Sequence, residues 1–182
     1  MQPNTKSTRR PSARDDQASL LADAEALHAA VADLVRIYQF RDRDRICCYD
    51  ISVTQCYALE ALCTHGAMRS QALAERLLLD KSTTTRVVDA LERKGYVERR
   101  VEAADARALS LQVTRSGRSL YETINRELVD QQAQIVADLD PQACAAATTV
   151  IRRLTKAAEA RFVSGVGIGD CVPASGCAPK RG

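Results

Sequence analysis

Cys47 and Cys48 are adjacent in the chain, and Arg41, Arg43 and Arg45 lie just before them. Cationic neighbours favour a thiolate over a thiol. Two thiolates side by side offer a bidentate grip on a soft, thiophilic ion, and cysteine sulfur selects such ions over magnesium or calcium. Trivalent antimony and arsenic bind sulfurs in a pyramid, so a third ligand is required. Cys56, Cys63, Cys171 and Cys177 are the candidates, from the same subunit or from a partner. Cys171 and Cys177 form a C-x5-C pair of their own near the end of the sequence.

The chain holds seven cysteines. Cys56, Cys63 and Cys144 fall inside helical patterns, where a free cysteine serves as a small core residue. Nothing points to thiol catalysis: there is no C-x-x-C, and His28 and His65 are the only histidines that could act as a general base. The thiols therefore read as a binding or sensing group and not as an active site.

A second chemistry lies in Asp80–Gly117, which contains no cysteine. Lys81, Ser82, Thr83, Thr84, Thr85 and Arg86 open a helix with short hydroxyls between two cations. Hydroxyls contact phosphates or bases, Lys and Arg read guanine, and a helix N-terminus favours phosphate. Asp105 and Arg107 follow at the expected tip of a β-hairpin, where an arginine can enter the electronegative minor groove. Arg99, on the first hairpin strand, is a further candidate DNA contact. Between Met68 and Arg115 ten basic residues face seven acidic ones, a local excess in a chain of net charge only +3. A polybasic coat for nucleic acid is excluded by that small net charge; a local DNA reader is not.

The elements that would position these groups follow from periodicity and caps. Leu20, Leu21, Ala24, Leu27, Val31, Leu34, Val35 and Tyr38 place a long amphipathic helix over 17–43. Residues 42–51 read as a loop or helix end. Ser52 and Gln55 fit a capping box for a helix over 53–64, with Tyr57, Leu59 and Leu62 inward and Gly66 as stop. Ser70 caps a third helix. Asp80 caps a fourth, which Gly95 ends after Arg93 and Lys94. Tyr96–Val101 and Ala108–Val113 read as strands, with 102–107 as the tip. Thr114 caps a fifth helix running to Leu139, and Asp140 with Pro141 opens a sixth. Its apolar stripe is Val150, Ile151, Leu154, Ala158 and Phe162.

These elements predict a mainly α fold with a small β-wing: a winged helix-turn-helix over 52–115 between long helices over 17–45 and 114–163. Residues 1–16 read as a disordered arm, 17–163 as one domain, and 164–182 as a flexible tail. No signal peptide or membrane span is evident, so the expected setting is the cytoplasm, where thiols stay reduced.

From Ser52 to Gly117 the chain resembles the MarR family of bacterial regulators. The resemblance rests on VTQ-x-x-x-L from Val53 to Leu59, on LDKSTTTRVVDALERKGYVERR, and on D-A-R-x-x-x-L-x-V-T-x-x-G from Asp105 to Gly117. It implies a homodimer built by the first, fifth and sixth helices, with two winged units reading a pseudo-palindromic double-stranded operator. It implies transcriptional control released by a ligand or by thiol chemistry, with Arg107 and Asp105 as the wing pair. Ala106, where the family often has another arginine, and Gln112 depart from the pattern. The resulting expectation is a homodimeric repressor that needs no cofactor and leaves its operator when antimonite, arsenite or another thiophile binds Cys47 and Cys48. An oxidant switch and a small organic effector are the alternatives. Peroxide-sensing relatives carry their reactive cysteine early in the first helix, and residues 17–40 have none.

Overall fold

The computed structural model describes residues 13–102 and 105–163, with the backbone alone for 13, 15, 102, 105–108, 162 and 163. Among the described residues nine elements follow in order: α1 (Ala13–Cys47), α2 (Val53–His65), β1 (Met68–Arg69), α3 (Ser70–Leu77), α4 (Lys81–Arg93), β2 (Val97–Glu102), β3 (Asp105–Val113), α5 (Arg115–Val136) and α6 (Pro141–Val163). The fold is mainly helical with a small antiparallel sheet, the winged helix-turn-helix expected from the sequence. The chain divides into two compact units, Met1–Val129 and Asp130–Gly182.

In the first unit the core collects around α2. Leu59, Leu62, Leu73, Val88, Leu91, Leu111 and Ile124 are buried together, so α2, α3, α4, β3 and α5 each contribute an apolar face. Burying each such side chain stabilises the unit by about 1.5–3 kcal/mol before ordering costs. Ser52 and Gln55 form the expected capping box: Ser52 Oγ accepts from Gln55 N at 3.2 Å, and Gln55 Oε1 accepts from Ser52 N at 3.0 Å. Tyr57, expected inward, is exposed because the core takes Cys56, Ala58, Leu59, Ala61 and Leu62.

The sheet has three strands in the order β1-β3-β2. β1 was not expected: two residues are too short for any periodicity, and only the partner β3 defines them, pairing Met68 with Leu111. β2 and β3 pair Val97 with Val113 and Arg99 with Leu111. Their register breaks after Val101, and Glu102 pairs with Asp105. Backbone pairing thus carries Asp105 and Arg107 into β3, not into the turn where they were expected. Their side chains lie outside the described residues.

Several boundaries also shift. α1 begins at Ala13 and continues to Cys47, so residues 13–16 belong to a helix, and of the two readings of 42–51, loop or helix end, 42–47 are the helix end. Ser70 is the first residue of α3 and not its cap; Arg69 holds that position without a side-chain cap bond. α5 ends at Val136, short of Leu139.

Among the described side chains of α1 only Ile46 is buried; Leu20, Leu27, Val31, Leu34 and Val35 stay 40–69% exposed in the single chain. In the second unit Asp140 accepts from Gln142 N and Ala143 N, which starts α6 as expected. There Val150, Ile151 and Leu154 are exposed as well. No helix among the described residues is long and apolar enough to cross a membrane.

Candidate nucleic-acid interface and thiol turn

The helix pair α3–α4 is set by one strained residue and one cap. Leu78 closes α3 in the left-handed region (φ 54°, ψ 41°), its N–H turned back to Ala74 and Glu75 carbonyls. That conformation costs a non-glycine residue of order 1 kcal/mol, so the surrounding packing must enforce it. Asp80 then caps α4. Its carboxylate accepts from Thr83 N at 2.8 Å, Thr83 Oγ1 at 2.6 Å and Ser82 Oγ at 2.6 Å. Those bonds, from Ser82 first and then Thr83, hold the Asp80 carboxyl well below the usual carboxylate range. The negative charge also sits at the positive end of the helix dipole.

The hydroxyl run divides by role. Thr84 is fully buried, and its Oγ1 donates to the Asp80 carbonyl at 2.9 Å. It is a buried residue and not the open DNA contact expected from sequence, since one step around the helix from the exposed positions turns it inward. Ser82 and Thr83 spend their hydroxyl protons on Asp80, and Thr85 Oγ1 donates to the Lys81 carbonyl at 2.8 Å. Lys81, Ser82, Thr85 and Arg86 are exposed, with Thr83 half-buried. Among the described residues Lys81 and Arg86 form no ion pair.

Arg99 is also placed differently from expectation. Its guanidinium reaches across from β2 to α4, bonding Asp89 Oδ1 at 2.6 Å and Glu92. Strand pairing in β2 turns this side chain toward α4, where two acids await it. It holds the wing to the helix and is not an open cation.

Cys47 is the last residue of α1 and Cys48 the first of the following turn; both are exposed. Cys48 Sγ bonds the Asp44 carbonyl at 3.3 Å. The arginines expected to surround the thiols have other partners. Arg41 pairs with Asp42 and stacks on Tyr38, Arg43 pairs with Asp44 and stacks on Phe40, and Arg45 lies 3.6 Å from Glu127 Oε2. Helical i,i+3 spacing brings Tyr38 to Arg41 and Phe40 to Arg43, each aspartate is the next residue in the chain, and Glu127 reaches Arg45 from α5.

Of the candidate third ligands, Cys56 and Cys63 lie within the described residues, and neither forms a metal-holding cluster with this pair. Cys56 is buried, and burial pushes its thiol up to about 12. Cys63 is half-buried and raised, chiefly by burial. Among the described residues no group of three His, Cys, Asp or Glu side chains is arranged to hold a metal ion. Cys171 and Cys177 lie outside the described residues.

Two contacts at this turn were missed by the sequence reading. Lys94 donates to the Asp50 carbonyl and to Asp50 Oδ2 at 3.0 Å. Tyr49 donates its hydroxyl to Glu127 Oε1 at 2.5 Å, and this bond to the carboxylate raises the phenol above its ordinary value. Their partners are far apart in sequence, so no local pattern signals them.

Comparison with known proteins agrees with this geometry. A MarR family model matches residues 49–108. An HTH-type transcriptional regulator of Mycobacterium leprae is 33% identical over 112 residues, 62% of this chain and 73% of the relative. One of Mycobacterium bovis is 32% identical over 126 residues, 69% of this chain and 83% of the relative. Among solved structures, Staphylococcus aureus MepR in complex with DNA superposes with a TM-score of 0.60 at 18% identity, over 70% of this chain and 93% of that one. Capped recognition helix, three-stranded wing and these similarities lead to one conclusion: the chain belongs to the MarR family and is an HTH-type transcriptional regulator.

Proposed function

We propose that the protein is a homodimeric repressor that reads a pseudo-palindromic operator through α4 and the wing, and leaves it when a thiophile binds Cys47 and Cys48. The observation that carries the DNA half is the start of α4. A rigidly capped turn presents Lys81, Ser82, Thr85 and Arg86 to solvent, with both cations free of ion pairs among the described residues. Lys81 and Arg86 contact phosphates or guanine. Ser82 and Thr83 have given their protons to Asp80, so toward DNA they act as acceptors, suited to the amino groups of cytosine or adenine. Asp105 and Arg107 are assigned to the minor groove, as the resemblance implies.

The dimer half rests on exposed apolar surface. α1 leaves Leu20, Leu27, Val31, Leu34 and Val35 open, and α6 leaves Val150, Ile151 and Leu154 open. Apolar surface on that scale marks an interface. A partner copy spaces two recognition helices for successive major grooves.

The effector half rests on two exposed adjacent thiols in one turn of the DNA-reading unit. Antimonite or arsenite is the favoured ligand class, with the third sulfur from elsewhere in the chain, from a partner copy, or from a small thiol.

Anisotropy of a labelled duplex, enriched from a random pool by the protein, tests the reading. Arg86→Ala and Lys81→Ala each weaken binding; a lost phosphate contact also lowers the salt slope by about 1. Undiminished binding in both variants removes α4 as the reader. Antimonite releases wild type but not the Cys47→Ser/Cys48→Ser variant; release of both removes the thiol site.

A further inference from the structure

The turn after α1 touches the recognition helix directly. Lys94, the C-cap residue of α4, donates to the carbonyl and carboxylate of Asp50, two residues beyond Cys48. Asp50 holds a left-handed backbone (φ 55°). Its N–H donates to the Cys47 carbonyl at 3.2 Å, and Cys48 N donates to the Arg45 carbonyl at 3.3 Å. The thiol pair and the Lys94 tether therefore share one hydrogen-bonded turn.

Bidentate capture is incompatible with that turn. Successive side chains on a helix diverge by about 100° around its axis and do not face each other. Cys47 is helical and Cys48 follows at once, so one ligand atom can bind both sulfurs only if the helix end unwinds. Unwinding breaks the Cys48–Arg45 and Asp50–Cys47 backbone bonds and carries Asp50 away from Lys94. A left-handed Asp50 is poised for this, since such a conformation persists only while its surroundings enforce it.

We propose that the Asp50–Lys94 tether is the coupling link through which a ligand on Cys47 and Cys48 alters DNA binding by α4. The proposal rests on the reading above that these thiols take the effector. Lys94 and Asp50 are positioning residues and touch neither DNA nor ligand. α4 stays fastened to the wing by Arg99 through Asp89 and Glu92, and Gly95 at its end accepts from Thr114 and Ser116. Loss of the tether frees α4 and the wing to shift together against α1 and α2, which changes the fit of the reader to its groove.

Phenylarsine oxide is the probe, because one arsenic bridges two thiols. Two As–S bonds form, the arsenic–oxygen bond breaks, and the oxygen leaves as water with both thiol protons; nothing is oxidised or reduced. The readout is the ratio of DNA affinities without and with the reagent, measured by anisotropy on the same enriched duplex with the full chain. That ratio reports coupling whatever the baseline affinity of a variant. Wild type is expected to lose about tenfold in affinity. In Lys94→Met the loss falls below about twofold while mass spectrometry shows the reagent still bound to Cys47 and Cys48. Lys94→Arg restores it, and Asp50→Asn, which keeps the carbonyl and tolerates the left-handed backbone, lies between. Should Lys94→Met not fold, Asp50→Asn decides.

Full release of both Lys94→Met and Asp50→Asn, with the Cys47→Ser/Cys48→Ser variant resistant, overturns the tether and leaves the thiol site standing. Release of the double-serine variant, or no release of wild type, overturns the thiol site and the tether with it.

Discussion

Gly117 sits in the first turn of α5, and a methyl group there has nowhere to go. A Cβ built at this position would lie 2.1 Å from the Tyr96 carbonyl oxygen, 2.9 Å from its carbon and 3.0 Å from Val113 Cγ2. Two of those atoms are backbone, so no flexible side chain can swing aside. The Tyr96 carbonyl also accepts from Thr114 N at 3.0 Å, and moving it weakens that bond. Overpacking of this kind costs about 1–3 kcal/mol, and the strained hydrogen bond adds about 1 kcal/mol. Alanine returns about 1 kcal/mol through its better helix propensity. The clash wins, and Gly117→Ala is expected to destabilise the protein by about 1–3 kcal/mol. For a chain of this size that lowers Tm by about 2–12 °C. Thermal unfolding followed by circular dichroism, at one protein concentration because a dimer links Tm to concentration, measures it. Gly66, with a φ of 81° and open space around its Cβ, is the contrast: there alanine meets backbone strain and no collision. A Gly117→Ala protein that melts at or above the wild-type temperature refutes the close approach of α5 to Tyr96.

Thr84→Val tests the division of the hydroxyl run. It loses one buried hydrogen bond, about 1 kcal/mol by urea denaturation, while the Asp80 carbonyl keeps its bond from Thr84 N. DNA affinity is unchanged; weakened binding at full stability would return Thr84 to the interface. The Asp80 cap gives a pH signature. Because its folded pKa is depressed, its stabilisation is complete above the unfolded value near 4 and is lost as pH falls through the folded value. The Tm gap between wild type and Asp80→Asn therefore narrows below about pH 4, and a constant gap would contradict the cap. Thiol accessibility predicts an order of labelling by an aromatic disulfide reagent, read by mass spectrometry. Among the described cysteines Cys47 and Cys48 react first, while Cys56, buried with a thiol pushed up to about 12, reacts last. Equally fast labelling of Cys56 contradicts its burial.

The recognition helix was legible because its signals are local. Asp80, the apolar spacing of Val88 and Leu91, and Gly95 after two cations all act within a turn or two of the residues they organise. The capping box of Ser52 and Gln55 was legible for the same reason. The misplacements share a cause. β1 is defined only by pairing with β3, Thr84 is buried only because α4 packs as it does, and Arg99 finds Asp89 and Glu92 only across the junction of wing and helix. Residues 42–51 were legible only as a loop or helix end because a run of charged residues hides apolar periodicity; Ile46, buried in the core, shows that the helix continues to Cys47.

Sequence by itself determined the order of the six helices and the two wing strands, the capped helix start with its cations, the pair of adjacent thiols and the resemblance to a regulator family. Short-range hydrogen bonding and apolar periodicity are written in neighbouring residues. Tertiary structure alone decided which hydroxyls face solvent, which arginines are already paired, and that Lys94 reaches the turn carrying the thiols. Those outcomes depend on contacts between residues distant in the chain, and such contacts exist only once the apolar faces of α2, α4 and β3 have packed together.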